Sequence, residues 1–92
     1  MSSIATLTKV LEETLLKEYG PILSDDLLRT CLGYPTIGAF RKSVSRDTVP
    51  VTVFTIANRS GKFALTTDVA KWLAQQKHQA IKVNNSKEID MT

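Results

Sequence analysis

The first twenty residues carry apolar side chains at intervals of three and four, the spacing that places them on one face of a helix. These residues are Ile4, Leu7, Leu11 and Leu15. Gly20 and Pro21 end the pattern, because glycine accepts the left-handed backbone that follows a helix and proline cannot continue one. The pattern predicts an amphipathic helix over residues 3–19.

Two shorter amphipathic segments follow, separated by a tight turn. Their apolar faces consist of Leu27, Leu28, Cys31 and Leu32 in the first and of Ile37, Phe40 and Val44 in the second. Ser24 is expected to cap the first segment, Gly33 to end it, and Thr36 to cap the second. The two segments predict a helix-turn-helix over residues 24–46, with its second helix at residues 36–46.

The rest of the chain predicts a hairpin and a closing helix. Residues 51–56 are rich in β-branched and aromatic residues, a turn-like stretch follows, and apolar residues return by position 65, so we expect a hairpin over residues 51–65. An apolar face then predicts a helix over residues 67–77. Residues 79–92 show no clear period and predict a flexible tail after a single domain at residues 1–78.

The predicted order is helix, short helix, turn, basic helix, hairpin and closing helix. This is the order of a winged helix-turn-helix with an extra N-terminal helix, and the predicted fold class is mainly α with a small β-hairpin. In such an arrangement the first short helix braces the second. The second helix can then project into a DNA major groove, which is about 12 Å wide.

Size and composition exclude several classes of protein. A chain of 92 residues, 42% hydrophobic and 23% charged, fits one small globular domain. The single Cys31 and the single His78 supply neither an intramolecular disulfide nor a zinc site, and no apolar run approaches the ~20 residues that cross a bilayer. No catalytic spacing or glycine-rich phosphate loop is recognisable. We therefore expect a cytoplasmic protein that is not an enzyme, needs no metal or cofactor and does not enter a membrane.

The net charge of +3 is unevenly distributed along the chain. Residues 27–62 contain six basic residues and one acidic residue, whereas residues 1–26 contain two basic and five acidic residues. A positive field concentrated in the middle third is typical of a surface that meets a polyanion. The partner that this charge pattern predicts is duplex DNA.

The residue types on the basic helix indicate how it would contact DNA. Arg41 and Arg46 are expected at base edges, because arginine pairs bidentately with guanine. Lys42, Ser45 and Thr36 are expected at phosphates, which lysine and hydroxyl groups commonly contact. Charges on an exposed helix face are also common without any ligand, and it is the helix-turn-helix context that favours the DNA interpretation.

The hairpin loop carries two further basic residues, Arg59 and Lys62. A basic loop next to the recognition helix is suited to the adjacent minor groove or to the DNA backbone. A polar loop tip is also basic by chance in many proteins, so an ordinary solvated loop is the alternative interpretation.

Several short motifs occur in a fixed order between residues 23 and 76. They are the capped helix start Ser24, Asp25 and Asp26, the helix end Leu32 and Gly33, the pair Phe40 and Arg41, the step Val49 and Pro50, the loop from Asn58 to Lys62, and the pair Trp72 and Leu73. In this combination the segment resembles the small winged-helix DNA-binding proteins of the excisionase and MerR-like group. The resemblance implies binding of specific duplex DNA, often as dimers or cooperative arrays, in bacterial, plasmid or phage transcription control or as an accessory to a recombinase.

Two features depart from that group: the long first helix is not part of the minimal excisionase unit, and the chain has no effector-binding domain like that of full-length MerR regulators. The stripe of Ile4, Leu7, Leu11 and Leu15, widened by Val10 and Leu16, predicts a homodimer or a cooperative array on DNA. The same stripe can instead cover the small domain itself. The alternative function is a protein-interaction adaptor that docks a recombinase, a polymerase subunit or a repressor.

Overall fold

A computed structural model describes residues 4–91, with side chains as far as residue 81. The elements of this part of the chain are α1 (Ile4–Tyr19), β1 (Ile22–Ser24), α2 (Asp25–Leu32), α3 (Ile37–Ser45), β2 (Phe63–Leu65) and α4 (Thr66–Met91). The protein is mainly helical with a small two-stranded antiparallel sheet, an arrangement compatible with a winged-helix-like fold. Helices α1, α2 and α3 lie where the sequence predicts them.

The central core joins the two short helices to the sheet and to α4. Its buried cluster consists of Leu23, Leu28, Leu32, Phe40, Ala64 and Val69. Leu28 and Phe40 are both completely buried, and the ring centroid of Tyr34 lies 5.6 Å from that of Phe40. The apolar faces of α2 and α3 therefore meet as the sequence predicts and hold the two helices at a fixed angle.

The sheet differs from the predicted hairpin over residues 51–65. Strand β2 pairs with β1, which the sequence analysis did not predict, and Leu23 lies opposite Ala64 in the register. On the other edge of β2, only Phe54 pairs with Phe63, through N–H···O=C distances of 2.8 and 2.9 Å. The predicted first strand is thus reduced to a single bridge.

The physical reason is that alternation along residues 51–53 reports burial rather than strand pairing. Val51 and Val53 are half-buried against the core and Thr52 between them is exposed, whereas the pattern shifts by one residue at the half-buried Phe54. An extended segment with alternate residues facing the core shows a strand's period whether or not it has a hydrogen-bonded neighbour. This prediction was wrong for every residue of the segment except Phe54.

Helix α1 forms a second layer, packed antiparallel along α4. Thr66 at the start of α4 is hydrogen-bonded to Gly20 after the end of α1. At the other end of α1, Ile4 and Gln75 line the same cleft between the two helices. Ala70 and Ala74 are completely buried on α4, the helix along which α1 packs. Small residues on α4 allow the two helices to approach closely.

Helix α4 continues through the segment that the sequence predicts as a tail. Residues 79–91 are helical, and the predicted flexible tail is therefore wrong over that range, whereas Thr92 lies outside the described residues. No glycine or proline follows Gly61, and the three polar residues at 84–86 each reduce helix propensity by less than about 1 kcal/mol. Despite its 26 residues, α4 lacks the hydropathy of a membrane span, as does every other helix in residues 4–91.

Thr66 links the two layers and provides a test of them. It is completely buried, its Oγ1 donates to the Gly20 carbonyl at 2.6 Å, and its N–H donates to the Pro21 carbonyl at 2.9 Å. Thr66→Val removes the hydroxyl donor and leaves a carbonyl without its partner. We expect the free energy of unfolding to fall by about 1–3 kcal/mol, measured by urea denaturation followed by circular dichroism. The same change at half-buried Thr67 is the control, and an equal loss from both variants would contradict the role of the bond.

Candidate nucleic-acid interface

Helix α3 is held in place by local structure at its N-terminus. The Thr36 hydroxyl accepts a hydrogen bond from the Ala39 N–H at 3.0 Å, so Thr36 is the N-cap that the sequence predicts. Gly33 ends α2 in the left-handed conformation with φ 87°, and the N–H of Tyr34 donates to the Arg29 carbonyl at 3.1 Å. These bonds satisfy backbone groups at both helix ends and fix the short turn between them.

Arg29 belongs to the basic middle third of the chain but serves the fold. Its Nε donates to Asp26 Oδ1 at 2.7 Å and its Nη1 donates to the Tyr34 carbonyl at 2.9 Å. The hydrogen bond and the positive charge of Arg29 lower the pKa of Asp26. The guanidinium therefore braces the turn between α2 and α3, which leaves five of the six cations of this third for a ligand.

A chain of three hydroxyl groups, absent from the sequence prediction, lies beside α3. Tyr34 Oη is 2.7 Å from Ser43 Oγ, which is 2.7 Å from Thr48 Oγ1, and Thr48 Oγ1 donates to the Ser43 carbonyl. Either hydroxyl of each pair can be the donor. The bond to Ser43 and the packing of its ring against Phe40 make Tyr34 a structural residue of the turn.

The outward face of α3 is centred on Lys42. At 3.6 residues per turn, Lys42 lies about 160° around the helix from the buried Phe40, and Gly38 and Ser45 lie about 40° and about 60° from Lys42 on the side of Arg41. Arg41 and Arg46 occupy opposite flanks, about 140° apart. All five outward residues are exposed. The sequence prediction treats the two arginines as equivalent, and the helix geometry places them on different sides of the face.

Each flank of α3 borders a different groove. Lys42 and Arg46 line a groove with Thr36, Gly38, Ala39, Ser43 and Thr48 along one side of the helix. On the other side, beyond Val44, a cleft of about 740 Å³ is lined by residues 49–55, Asp47 and Lys62. Arg41 lies on the flank of Val44. The structure thus brings Thr36, Lys42 and Arg46 together along one groove, whereas Arg41 and Ser45 line neither of these two clefts.

The loop that carries the two other predicted cations starts from the Phe54–Phe63 bridge. Arg59 and Lys62 are both exposed in it. A turn forms where the Arg59 N–H donates to the Ile56 carbonyl at 3.0 Å, and Asn58 has a φ of 63°. The rings of Phe54 and Phe63, with centroids 6.4 Å apart, support the base of the loop. We call residues 55–62 the wing.

The cations of α3 and the wing form no ion pairs with the side chains that the structure describes. Among the described side chains, no carboxylate lies at ion-pair distance from any of the five residues Arg41, Lys42, Arg46, Arg59 and Lys62. The nearest acidic position along the chain is the exposed Asp47, which lines the second cleft. Unpaired, solvated cations on one helix and a neighbouring loop produce a positive potential over that side of the molecule.

The Cys31 thiol and possible clusters of metal ligands are the other features that bear on the chemistry of the protein. Cys31 is half-buried beside the core, and burial raises the pKa of its thiol, which keeps it protonated at neutral pH. In the described part of the chain, no three His, Cys, Asp or Glu side chains are grouped as metal ligands would be.

The predicted dimerisation residues Ile4, Leu7, Leu11 and Leu15 are half-buried in the single chain. Their common face is the one that packs along α4, whereas Val10 and Leu16 are 51% and 38% exposed. Both uses of α1 that the sequence leaves open are compatible with this arrangement.

Comparisons with protein-family models, curated proteins and solved structures found no match to this chain.

Proposed function

We propose that this protein binds specific duplex DNA as a winged helix-turn-helix regulator or excisionase-like recombination accessory, with α3 in the major groove. The observation that carries the proposal is the outward face of α3. The helix is capped by Thr36 and braced by α2, and it presents Lys42 between Arg41 and Arg46. None of these cations is paired with a carboxylate in the described residues.

The dimensions of α3 suit this role. A helix of nine residues is about 14 Å long, and a helix with its side chains is about 10–12 Å across, close to the width of the major groove. Gly38 and Ala39 put little bulk on the first turn, and nothing beyond the Thr36 hydroxyl lies within 4 Å of a Cβ built on Gly38. The backbone of α3 can therefore approach base edges closely.

The outward side chains fall into those that would contact base edges and those that would contact phosphates. Arg41 and Arg46 can each pair with guanine O6 and N7, and Lys42 at the centre of the face reaches either a base or a phosphate. Thr36 and Ser45 at the ends of α3 contact phosphates. The wing places Arg59 and Lys62 on the adjacent groove or backbone.

The other elements lie away from this surface. Helix α1, which has three glutamates and two lysines, packs on α4 rather than on α3. An acidic helix is repelled by DNA, so its location on the second layer leaves the duplex side basic. A homodimer or a cooperative array formed through α1 is compatible with this placement.

The test is selection of bound sequences from random duplex DNA at near-physiological salt, followed by affinity measurements over a range of salt concentrations. We expect one enriched motif. Because each neutralised phosphate contributes about −0.9 to the slope of log K against log salt, five cations predict a slope of about −4. Absence of a motif together with a slope near zero would contradict the proposal.

That negative outcome would favour the second candidate function, a protein-interaction adaptor. Exposed apolar side chains support it: Leu16, Tyr19 and Leu65 are 38%, 43% and 43% exposed. Tyr19 and Leu65 lie at the same end of the sheet, because the next residue, Thr66, bonds to Gly20. This end is opposite the wing, so a recombinase, polymerase subunit or repressor docked there would not block α3.

A further inference from the structure

The start of α2 is hydrogen-bonded to the base of the wing, 37 residues further along the chain. The Asp25 N–H donates to the Lys62 carbonyl at 3.1 Å, and Asp25 Oδ1 accepts from the Lys62 N–H at 3.1 Å. Asp25 therefore hydrogen-bonds to both the N–H and the carbonyl of Lys62. The neighbouring Ser24 has the backbone of an N-cap but makes no side-chain cap bond.

Asp25 adopts an unusual backbone conformation at this contact. Its φ is 37°, in the left-handed region that residues other than Asn, Asp and Gly rarely adopt. A residue keeps such a conformation only where its surroundings fix it. Here the two bonds to Lys62 fix it, and they turn the carboxylate towards the wing instead of along α2.

Gly61 completes the contact. Its φ is 100°, and a Cβ built on it would overlap the Asp25 carboxylate. Only glycine allows the wing backbone to approach this closely. The geometry thus requires a specific pair, a residue with a short side-chain acceptor at the start of α2 and a glycine in the wing.

The contact leaves the Lys62 side chain available. Asp25 bonds to the backbone of Lys62, and within the described residues no carboxylate forms an ion pair with its ammonium group. The wing is also attached through the Phe54–Phe63 bridge and through the pairing of β2 with β1. Without the Asp25 carboxylate, the Lys62 N–H loses its acceptor, and the angle of the wing relative to α2 and α3 is less firmly fixed.

We propose that Asp25 is a positioning residue for DNA binding, which holds the wing at the angle where it and α3 contact the same duplex. The proposal rests on the proposed function and names a residue that never touches DNA. It also assigns an acidic residue a favourable effect on affinity for a polyanion, the opposite of what its charge alone predicts.

The test compares Asp25→Ala with Asp25→Asn. Both variants remove the negative charge, but the asparagine Oδ1 can still accept from the Lys62 N–H and asparagine tolerates the left-handed backbone. We expect Asp25→Asn to bind the selected duplex at least as tightly as the wild type. Asp25→Ala is expected to bind about fivefold more weakly, the effect of one lost hydrogen bond. Equal affinities of the two variants would overturn the proposal.

A double-mutant cycle separates positioning from a general loss of stability. Arg59→Ala is expected to weaken binding about fivefold in the wild type and by less than about twofold in Asp25→Ala, because a misplaced wing no longer brings Arg59 to the duplex. Circular dichroism checks that all variants are folded. Equal effects of Arg59→Ala in both backgrounds would show that Asp25 does not position the wing.

Hydrogen exchange tests the contact without DNA. The Lys62 amide, observed by NMR, is expected to be protected in the wild type and in Asp25→Asn and to exchange at least about tenfold faster in Asp25→Ala. Unchanged exchange would overturn the contact itself. A protected amide in a protein that binds no duplex would instead refute the proposed function, and with it the role of Asp25 in DNA binding, while leaving the contact established.

Discussion

Replacing Lys42 and Arg46 together by alanine is expected to reduce affinity for the selected duplex by about 100-fold or more, since each contact contributes about 1–3 kcal/mol. The two side chains line the same groove beside α3 with Thr36, and neither is neutralised by a carboxylate of the described residues. The slope of log K against log salt should become less negative by up to about 2. Fluorescence anisotropy with labelled duplex measures both quantities.

The matched control is Lys9→Ala with Lys17→Ala on α1. Both lysines are exposed, and their loss changes the net charge by the same amount as the test variant. Because α1 packs on α4, the control should change affinity by less than about threefold, the effect of long-range charge alone. Equal losses from the two double variants would mean that binding follows net charge and not the surface of α3.

Phe40→Ala is expected to lower the free energy of unfolding by about 3–5 kcal/mol, a large part of the total for a domain of this size. Phe40 is completely buried where α2 meets α3, and its ring packs against that of Tyr34. Its removal leaves a cavity under the helix that carries the proposed DNA-binding residues. Urea denaturation followed by circular dichroism measures the loss.

Phe54→Ala is the comparison variant for this experiment. Phe54 is half-buried at the base of the wing, so its truncation removes less buried surface. We expect the loss to be about half of that at Phe40 or less. An equal or greater loss at Phe54 would show that the core is centred on the wing and not on the junction of α2 and α3.

Helices α1, α2 and α3 were predictable from the sequence because their signals are local. Thr36 and Gly33 mark helix ends through their own conformational preferences, and the apolar spacing around Phe40 identifies the buried face. Strand β1 has no comparable signal. Its three residues are too few to show a period, and its pairing partner lies about forty residues away in the sequence.

The candidate site likewise contains residues whose placement the sequence predicts and residues whose placement depends on the fold. The exposure of Arg41, Lys42 and Arg46 follows from their position on an amphipathic helix, which the sequence contains. The use of Arg29 to brace a turn and the contact of Asp25 with the wing depend on tertiary neighbours, so residue type alone did not separate them from solvated charges.

The position of α4 has a consequence for how the chain folds during its synthesis. Val69 belongs to the central core, and α4 is also the helix along which α1 packs, so residues made late complete both layers. Until they leave the ribosome, α2 and α3 lack one wall of their core and α1 has no surface to cover. A chain that ends prematurely before Thr66 therefore carries every cation of α3 and the wing but no folded domain to present them.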